Sequence, residues 1–154
     1  MNTNSELVSN IRNNHANLYI TEITNNDMKF LPEQHDGFVE YKRTLIDCTD
    51  KKAIQYATQM RWRITENIKH QCATYYIGVD DDGAIIGLTN DDIIACVTKI
   101  VSIAGTIDAS ITGIHIIHIG DLSIIKICVK IKKIKDNYLV DFNDDNIELV
   151  QTRA

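Results

Sequence analysis

The pattern of apolar and polar residues switches along the chain between helical and strand periods. After Thr49 or Asp50, either of which can cap a helix, apolar residues recur at helical spacing. They are Ala53, Ala57, Met60, Ile64 and Ile68. A second helix is predicted after Thr89, which forms a capping box with Asp92, and it is expected to stop at Gly105. Its buried face is predicted to be Ile93, Val97, Ile100, Val101 and Ala104.

Other segments have the composition of strands. Residues 38–46, FVEYKRTLI, alternate in part, and residues 75–88, YYIGVDDDGAIIGL, predict two short strands about a turn whose Gly83 supplies positive φ. Residues 107–119 and 122–134 predict a long hairpin. The order β-α-β-β-α-β-β-β predicts an α+β fold, a mixed β-sheet with two helices packed on one face.

The two ends of the chain differ from this middle part. Residues 1–30 are rich in Asn and Thr, so we expect a loosely ordered segment with a short helix around Glu6 to Asn13. Residues 31–154 are expected to form a single α+β domain. Within it, Tyr138 to Phe142 predicts a last strand and Ile147 to Val150 one more short piece.

Composition bounds the class of protein. A net charge of -5 and a pI near 5.4 restrict any nucleic-acid contact to a local patch. The four cysteines are scattered without a CxxC pair, which is typical of reduced thiols in an intracellular protein. Since the sequence shows neither a signal peptide nor an apolar stretch long enough to span a membrane, a cytoplasmic location is expected.

Known nucleotide and hydrolase motifs are absent from the 154 residues. GxxxxGK[ST], GxGxxG and GxSxG do not occur. This argues against GTP binding and serine-hydrolase chemistry. His115 and His118 are separated by an odd number of positions on one predicted strand, so they are expected on opposite faces and unable to share one metal ion.

Carboxylates form the first candidate site. If the first strand pairs near the predicted hairpin, Glu40 and Asp80 could converge on a divalent ion, with Asp36 beside them. Such a cluster would activate water for phosphodiester hydrolysis with Mg²⁺ or Mn²⁺. The alternative is a hydrated Asp-rich turn and a Glu40 that pairs with a lysine such as Lys42.

Lysines form the second candidate site. Lys126, Lys130 and Lys132 share one face of a predicted strand, while the intervening isoleucines and valine share the other. Lys133 and Lys135 extend this series into the following turn. The series is either a strip that contacts the phosphates of nucleic acid or a solvated sheet face or edge strand whose lysines deter aggregation.

Three motifs of the chain resemble a known family. In order, they are LPEQHDGFVEYKRTLID, ATQMRWRITE and YYIGVDDDGAIIGLTNDDI. Over residues 31–95 the chain resembles the amino-terminal accessory domain of the elongation-factor-1-alpha-like translational GTPases, the GTP-binding protein 1 and 2 group. The resemblance implies an accessory module without the GTPase domain. It implies RNA, the ribosome or a translation factor as partner, and no GTP hydrolysis. No cofactor is expected unless the nuclease alternative, with Mg²⁺ or Mn²⁺, holds. A decoy or structural interaction protein is a further alternative.

A more distant resemblance links VEYK and IGVDDDGAIIGL to the AlbA-like core domain of Schlafen proteins, some of which are endoribonucleases with a three-carboxylate metal site. Glu40 and Asp80 match two of those positions. The third falls at His35, which departs from the pattern, with Asp36 or Glu33 as substitutes if the loop shifts. The primary interpretation is therefore a non-enzymatic binding module, and the alternative is a metal-dependent ribonuclease.

Overall fold

The computed structural model describes residues 3–132, which form three helices and five strands. The helices and strands, in chain order, are α1 (Thr3–Asn14), β1 (Ile20–Thr24), β2 (Val39–Lys42), α2 (Asp50–Glu66), β3 (Cys72–Ile77), α3 (Asn90–Thr106), β4 (Ala109–Ile119) and β5 (Leu122–Ile131). The pieces predicted at Tyr138 to Phe142 and Ile147 to Val150 lie outside the described residues.

The five strands form one mixed sheet in the order β1-β4-β5-β3-β2. β5 lies between β4 and β3 and is antiparallel to both. At the two edges, β1 pairs in parallel with β4, and β2 pairs in parallel with β3. All three helices contribute to one hydrophobic core with the same face of the sheet. The predicted α+β class is confirmed, with α1 as a third helix on the face where two were expected.

Both predicted helix starts are confirmed by their caps. The hydroxyl oxygen of Thr49 accepts a hydrogen bond from the Lys52 amide at 3.2 Å, and that of Thr89 accepts one from the Asp92 amide at 3.1 Å. The ends differ from prediction. Ile68 lies beyond the end of α2 and is 84% exposed, and α3 runs one residue past Gly105.

The amino-terminal segment is the largest departure from the sequence prediction. The helix expected around Glu6 to Asn13 is present as α1. The expectation that the segment over residues 1–30 is loosely ordered is wrong, because α1 belongs to the common core and β1 to the sheet. Leu7 and Ile11, one turn apart on α1, are each 1% exposed because they pack in the core that α3 helps to form. That burial offsets the entropy cost of ordering the segment.

The hairpin predicted within residues 75–88 is reduced to a tight turn. Val79 and Ile85 form an isolated antiparallel bridge, and the Asp80 amide donates to the Ala84 carbonyl at 2.8 Å. AIIGL does not continue as a strand because the amides of residues 86 and 87 both turn back to the carbonyl of Gly78, which has a φ of 104°. The turn therefore stands at the end of β3 without a partner strand of its own.

Gly83 is needed in this turn for two reasons. Its φ is 93°, and a Cβ there would clash with the carbonyl oxygen of Phe30 and lie 3.0 Å from that of Leu31. We expect Gly83→Ala to lower the free energy of unfolding by about 3 kcal/mol in urea titrations. Gly120→Ala is the matched control, because Gly120 has a φ of 60° but open space around it. An equal loss in both variants would contradict the close approach of residues 30–31.

Candidate nucleic-acid interface

The two faces of the sheet differ in how they are covered. One face packs on the three helices. On the other face, a second apolar cluster that includes Tyr41, Val79 and Ile124 is covered by Met28 and Phe30, which precede β2. Beyond that cluster the side chains are half-buried or exposed. We call this part the open half of the sheet, formed by Thr21, Cys72, Thr74, His115, Lys126, Cys128 and Lys130.

A single row of residues crosses all five strands at the border of the open half. In strand order it runs Thr21, His115, Lys126, Tyr76 and Tyr41, each the register partner of the next. Lys126 therefore stands between an imidazole and a phenol, with its Nζ 5.9 Å from the centre of the Tyr76 ring. The row places a cation, a histidine and aromatic rings next to one another on one surface.

The residues on either side of Lys126 in β5 alternate as the sequence predicts. The odd-numbered apolar positions, Ile125, Ile127 and Val129, lie in the helix-side core. Lys130 is exposed on the opposite face. Lys132 follows the strand and lies 3.4 Å from the carboxylate of Asp108, with both side chains exposed. Lys133 and Lys135 lie outside the described residues.

The open half carries positive charge without carboxylates. None of the seven residues that define it is acidic, whereas Glu22 and Glu40 both point to the helix side. Burial, and then the charge of Lys126, lower the pKa of His115, which favours its neutral form. The Nδ1 atom of His115 lies 2.6 Å from the hydroxyl of Thr21. An overall acidic chain thus presents a locally basic sheet surface.

Tyr19 adds an exposed aromatic ring beside this surface. It immediately precedes β1, is 64% exposed and meets the His115 ring edge-on at a centroid distance of 6.5 Å. Sequence reasoning missed Tyr19 because it lies in the segment that was expected to be loosely ordered. Its position directly before ITEIT, a stretch rich in β-branched residues, is the signal that could have indicated an ordered ring.

Histidines and cysteines of the sheet supply no shared metal site. His118 lies on the face opposite to His115, as predicted, and its Nε2 is 2.7 Å from Glu22. The four cysteines are free thiols, and burial raises the pKa of Cys128. Within residues 3–132 there is no group of three His, Cys, Asp or Glu side chains that could hold a metal ion.

Glu40 is a buried counter-ion. It is 3% exposed, and its Oε1 accepts a hydrogen bond from Nε of Arg63 at 2.8 Å. Its Oε2 lies 3.2 Å from Nζ of Lys42, so the pairing with Lys42 left open from the sequence is present. Both carboxylate oxygens therefore face cations of the protein itself. A divalent ion at Glu40 would have to displace them, and the arrangement does not fit a metal ligand.

Arg63 is the structural residue that sequence reasoning missed. Its guanidinium also donates to the carbonyl oxygens of Gly37 at 2.8 Å and Gln34 at 3.1 Å. It thereby ties α2 to β2 and to the loop before β2. The signal lay in the sequence, because Arg63 occupies the apolar stripe of α2 between Met60 and Ile64. A charge on a buried stripe requires a partner of opposite charge.

The other predicted carboxylates do not join Glu40. Asp36 is exposed, and Asp80 holds its own turn by accepting the Asp81 amide at 2.9 Å. The acidic side chain beside Glu40 is Glu33, whose Oε2 accepts the Tyr41 amide at 2.6 Å and lies 3.9 Å from Arg63. Burial is the main cause that raises the pKa of Glu33, and the charge of Glu40 adds to it.

Within residues 3–132, fold and surface together define an α+β protein in which half of one sheet face is open. In the described part of the chain, no helix is both long and apolar enough to cross a membrane. The chain is 49% identical over 139 residues to "Uncharacterized protein R625" of Acanthamoeba polyphaga mimivirus, an alignment that covers 90% of this chain and 73% of that protein. It belongs to the family of that viral protein.

A second similarity is partial. Over 88 residues the chain is 34% identical to GTP-binding protein 2 of Mus musculus and, at the same identity, to that of Homo sapiens. The alignment covers 57% of this chain but only 14% of each GTP-binding protein, so it concerns one region of a much longer relative. No family model matches the chain, and no solved structure matches it.

Proposed function

We propose that this chain is a non-enzymatic binding module of the translation machinery that contacts RNA through the open half of the sheet. The observation that carries the proposal is the row in which Lys126 stands between His115 and Tyr76, with Lys130 further along the same face. The partial similarity to GTP-binding protein 2, together with the resemblance of residues 31–95 to the accessory domain of translational GTPases, supports a link to translation. A cytoplasmic location is part of the proposal. The 154 residues contain no P-loop, which agrees with a role other than GTP hydrolysis.

The chemistry of the open half suits RNA better than an acidic protein surface. Lysine side chains supply phosphate contacts, and exposed aromatic rings supply faces on which unpaired bases stack. Lys126 and Lys130 provide the former and Tyr19 the latter. The neutral imidazole of His115 provides a hydrogen-bonding group that adds no further charge. Single-stranded RNA is thus the class of ligand we favour.

Cleavage of the bound RNA is not part of the proposal. The hypothesis of a Schlafen-type ribonuclease requires Glu40 as a metal ligand, and Arg63 and Lys42 already neutralise that carboxylate. The ion pair lies on the helix side of the sheet, whereas the open half is on the other. The face proposed for RNA is therefore separate from the carboxylates that resemble a nuclease motif.

Labelled single-stranded RNA and labelled tRNA, each incubated with the purified chain with and without Mn²⁺, test this function. We expect retention on a filter at low salt, with both RNAs intact after prolonged incubation. Cleavage that requires Mn²⁺ and disappears in Glu40→Gln would establish the nuclease instead. Absence of retention, combined with ribosomal proteins recovered from RNase-treated pull-downs, would identify a protein partner and refute RNA binding.

A further inference from the structure

A groove on the helix side of the molecule has no role in the proposed function. It lies between α2 and the end of α3, is lined by Ala53, Ile54, Ala57, Arg61, Thr106 and Ile107, and has a volume of about 280 Å³. Ile54, on its wall, is 70% exposed. Arg61 supplies the charge among these lining residues.

We propose that residues 138–142 of this same chain, YLVDF, dock in this groove. The described structure ends at Lys132, whose amide donates to the carbonyl of Asp108 at 3.1 Å. Asp108 is the residue after Ile107, which lines the groove. The chain thus leaves β5 beside the groove. Six residues from Lys132 to Tyr138 reach at most about 20 Å, which is enough to enter it.

The chemistry of this segment complements the groove. In an extended conformation Tyr138, Val140 and Phe142 fall on one side, so three apolar side chains would face the apolar wall. Residues 136–150 contain five carboxylates and no lysine or arginine. An acidic apolar segment next to a groove whose charged member is Arg61 favours pairing of the two.

A double-mutant cycle in the full chain tests this docking by urea unfolding. Ile54→Ala, Phe142→Ala and the double variant are compared with the wild type. Without docking, Ile54→Ala is expected to be neutral or slightly stabilising, because alanine is the better helix former at an exposed site. Ile68→Ala is the matched control, since Ile68 is 84% exposed and lies outside the groove.

We expect Ile54→Ala and Phe142→Ala each to lower the urea midpoint, and the double variant to fall no lower than the lower of the two. Ile68→Ala and Phe142→Ala should instead act additively. An unchanged midpoint in Phe142→Ala, or additivity with Ile54→Ala, would overturn the proposal. A coupling that grows with protein concentration would show that the groove takes the segment of a second copy, which also contradicts docking within one chain.

Discussion

Replacing Arg63 with methionine is expected to lower the free energy of unfolding by about 3–5 kcal/mol. The substitution keeps an apolar stem in the stripe of α2 but leaves Glu40 buried with one remaining cationic partner, Lys42. It also removes the donors that hold the carbonyl oxygens of Gln34 and Gly37. Urea titration at pH 7 measures the loss. Arg43→Met is the matched control because Arg43 is exposed, and it should stay within about 0.5 kcal/mol of wild type.

A second substitution added to Arg63→Met identifies the cause. Adding Glu40→Leu should restore part of the lost stability, because it removes the carboxylate that Arg63→Met leaves buried with Lys42 as its one cationic partner. A double variant less stable than Arg63→Met would contradict the ion pair as the cause.

Reversing two charges in the open half is expected to have the largest effect on function. Lys126→Glu combined with Lys130→Glu should weaken binding of single-stranded RNA by about 30-fold or more at moderate salt. Two phosphate contacts are lost, and two carboxylates are placed among the seven residues that define the open half, none of which is acidic. Fluorescence anisotropy with a labelled oligonucleotide measures the dissociation constant.

Lys51→Glu combined with Lys52→Glu is the control for this variant. It changes the net charge equally, but both lysines are exposed on α2, on the helix side of the sheet. Lys130→Glu alone guards against a folding defect, because Lys130 is exposed whereas Lys126 is half-buried. If both pairs weakened binding equally, RNA would be responding to net charge, and the open half would lose its special role.

Much of the sheet and of the lysine surface could be predicted from local patterns. Strict alternation in β5 assigns Ile125 and Ile127 to the core and Lys126 to the opposite face, since a strand has only two faces. The threonine caps of α2 and α3 could also be predicted from the sequence, because the cap and its amide partner lie three residues apart. These features depend on neighbours in sequence.

Features that depend on distant partners could not be predicted. β1 is a short polar strand whose sheet neighbour among the described strands, β4, lies about 90 residues away in the register Thr21 to His115. The role of Glu40 was equally hidden, because its motif resembles a metal ligand and only the packing of α2 on β2 brings Arg63 to it. The resemblance of a motif to a catalytic one is thus weaker evidence than the partner of each carboxylate oxygen.

The salt dependence of RNA affinity tests most directly whether the open half is the RNA-binding surface. The dissociation constant of a single-stranded RNA is measured over a range of KCl concentrations for wild type and for Lys126→Gln combined with Lys130→Gln. If both lysines contact phosphates, the slope of log K against log salt should be shallower in the variant by about 1.4, or about 0.7 for each lost contact with a single strand. An unchanged slope would contradict phosphate binding by these lysines and, with it, the proposed interface.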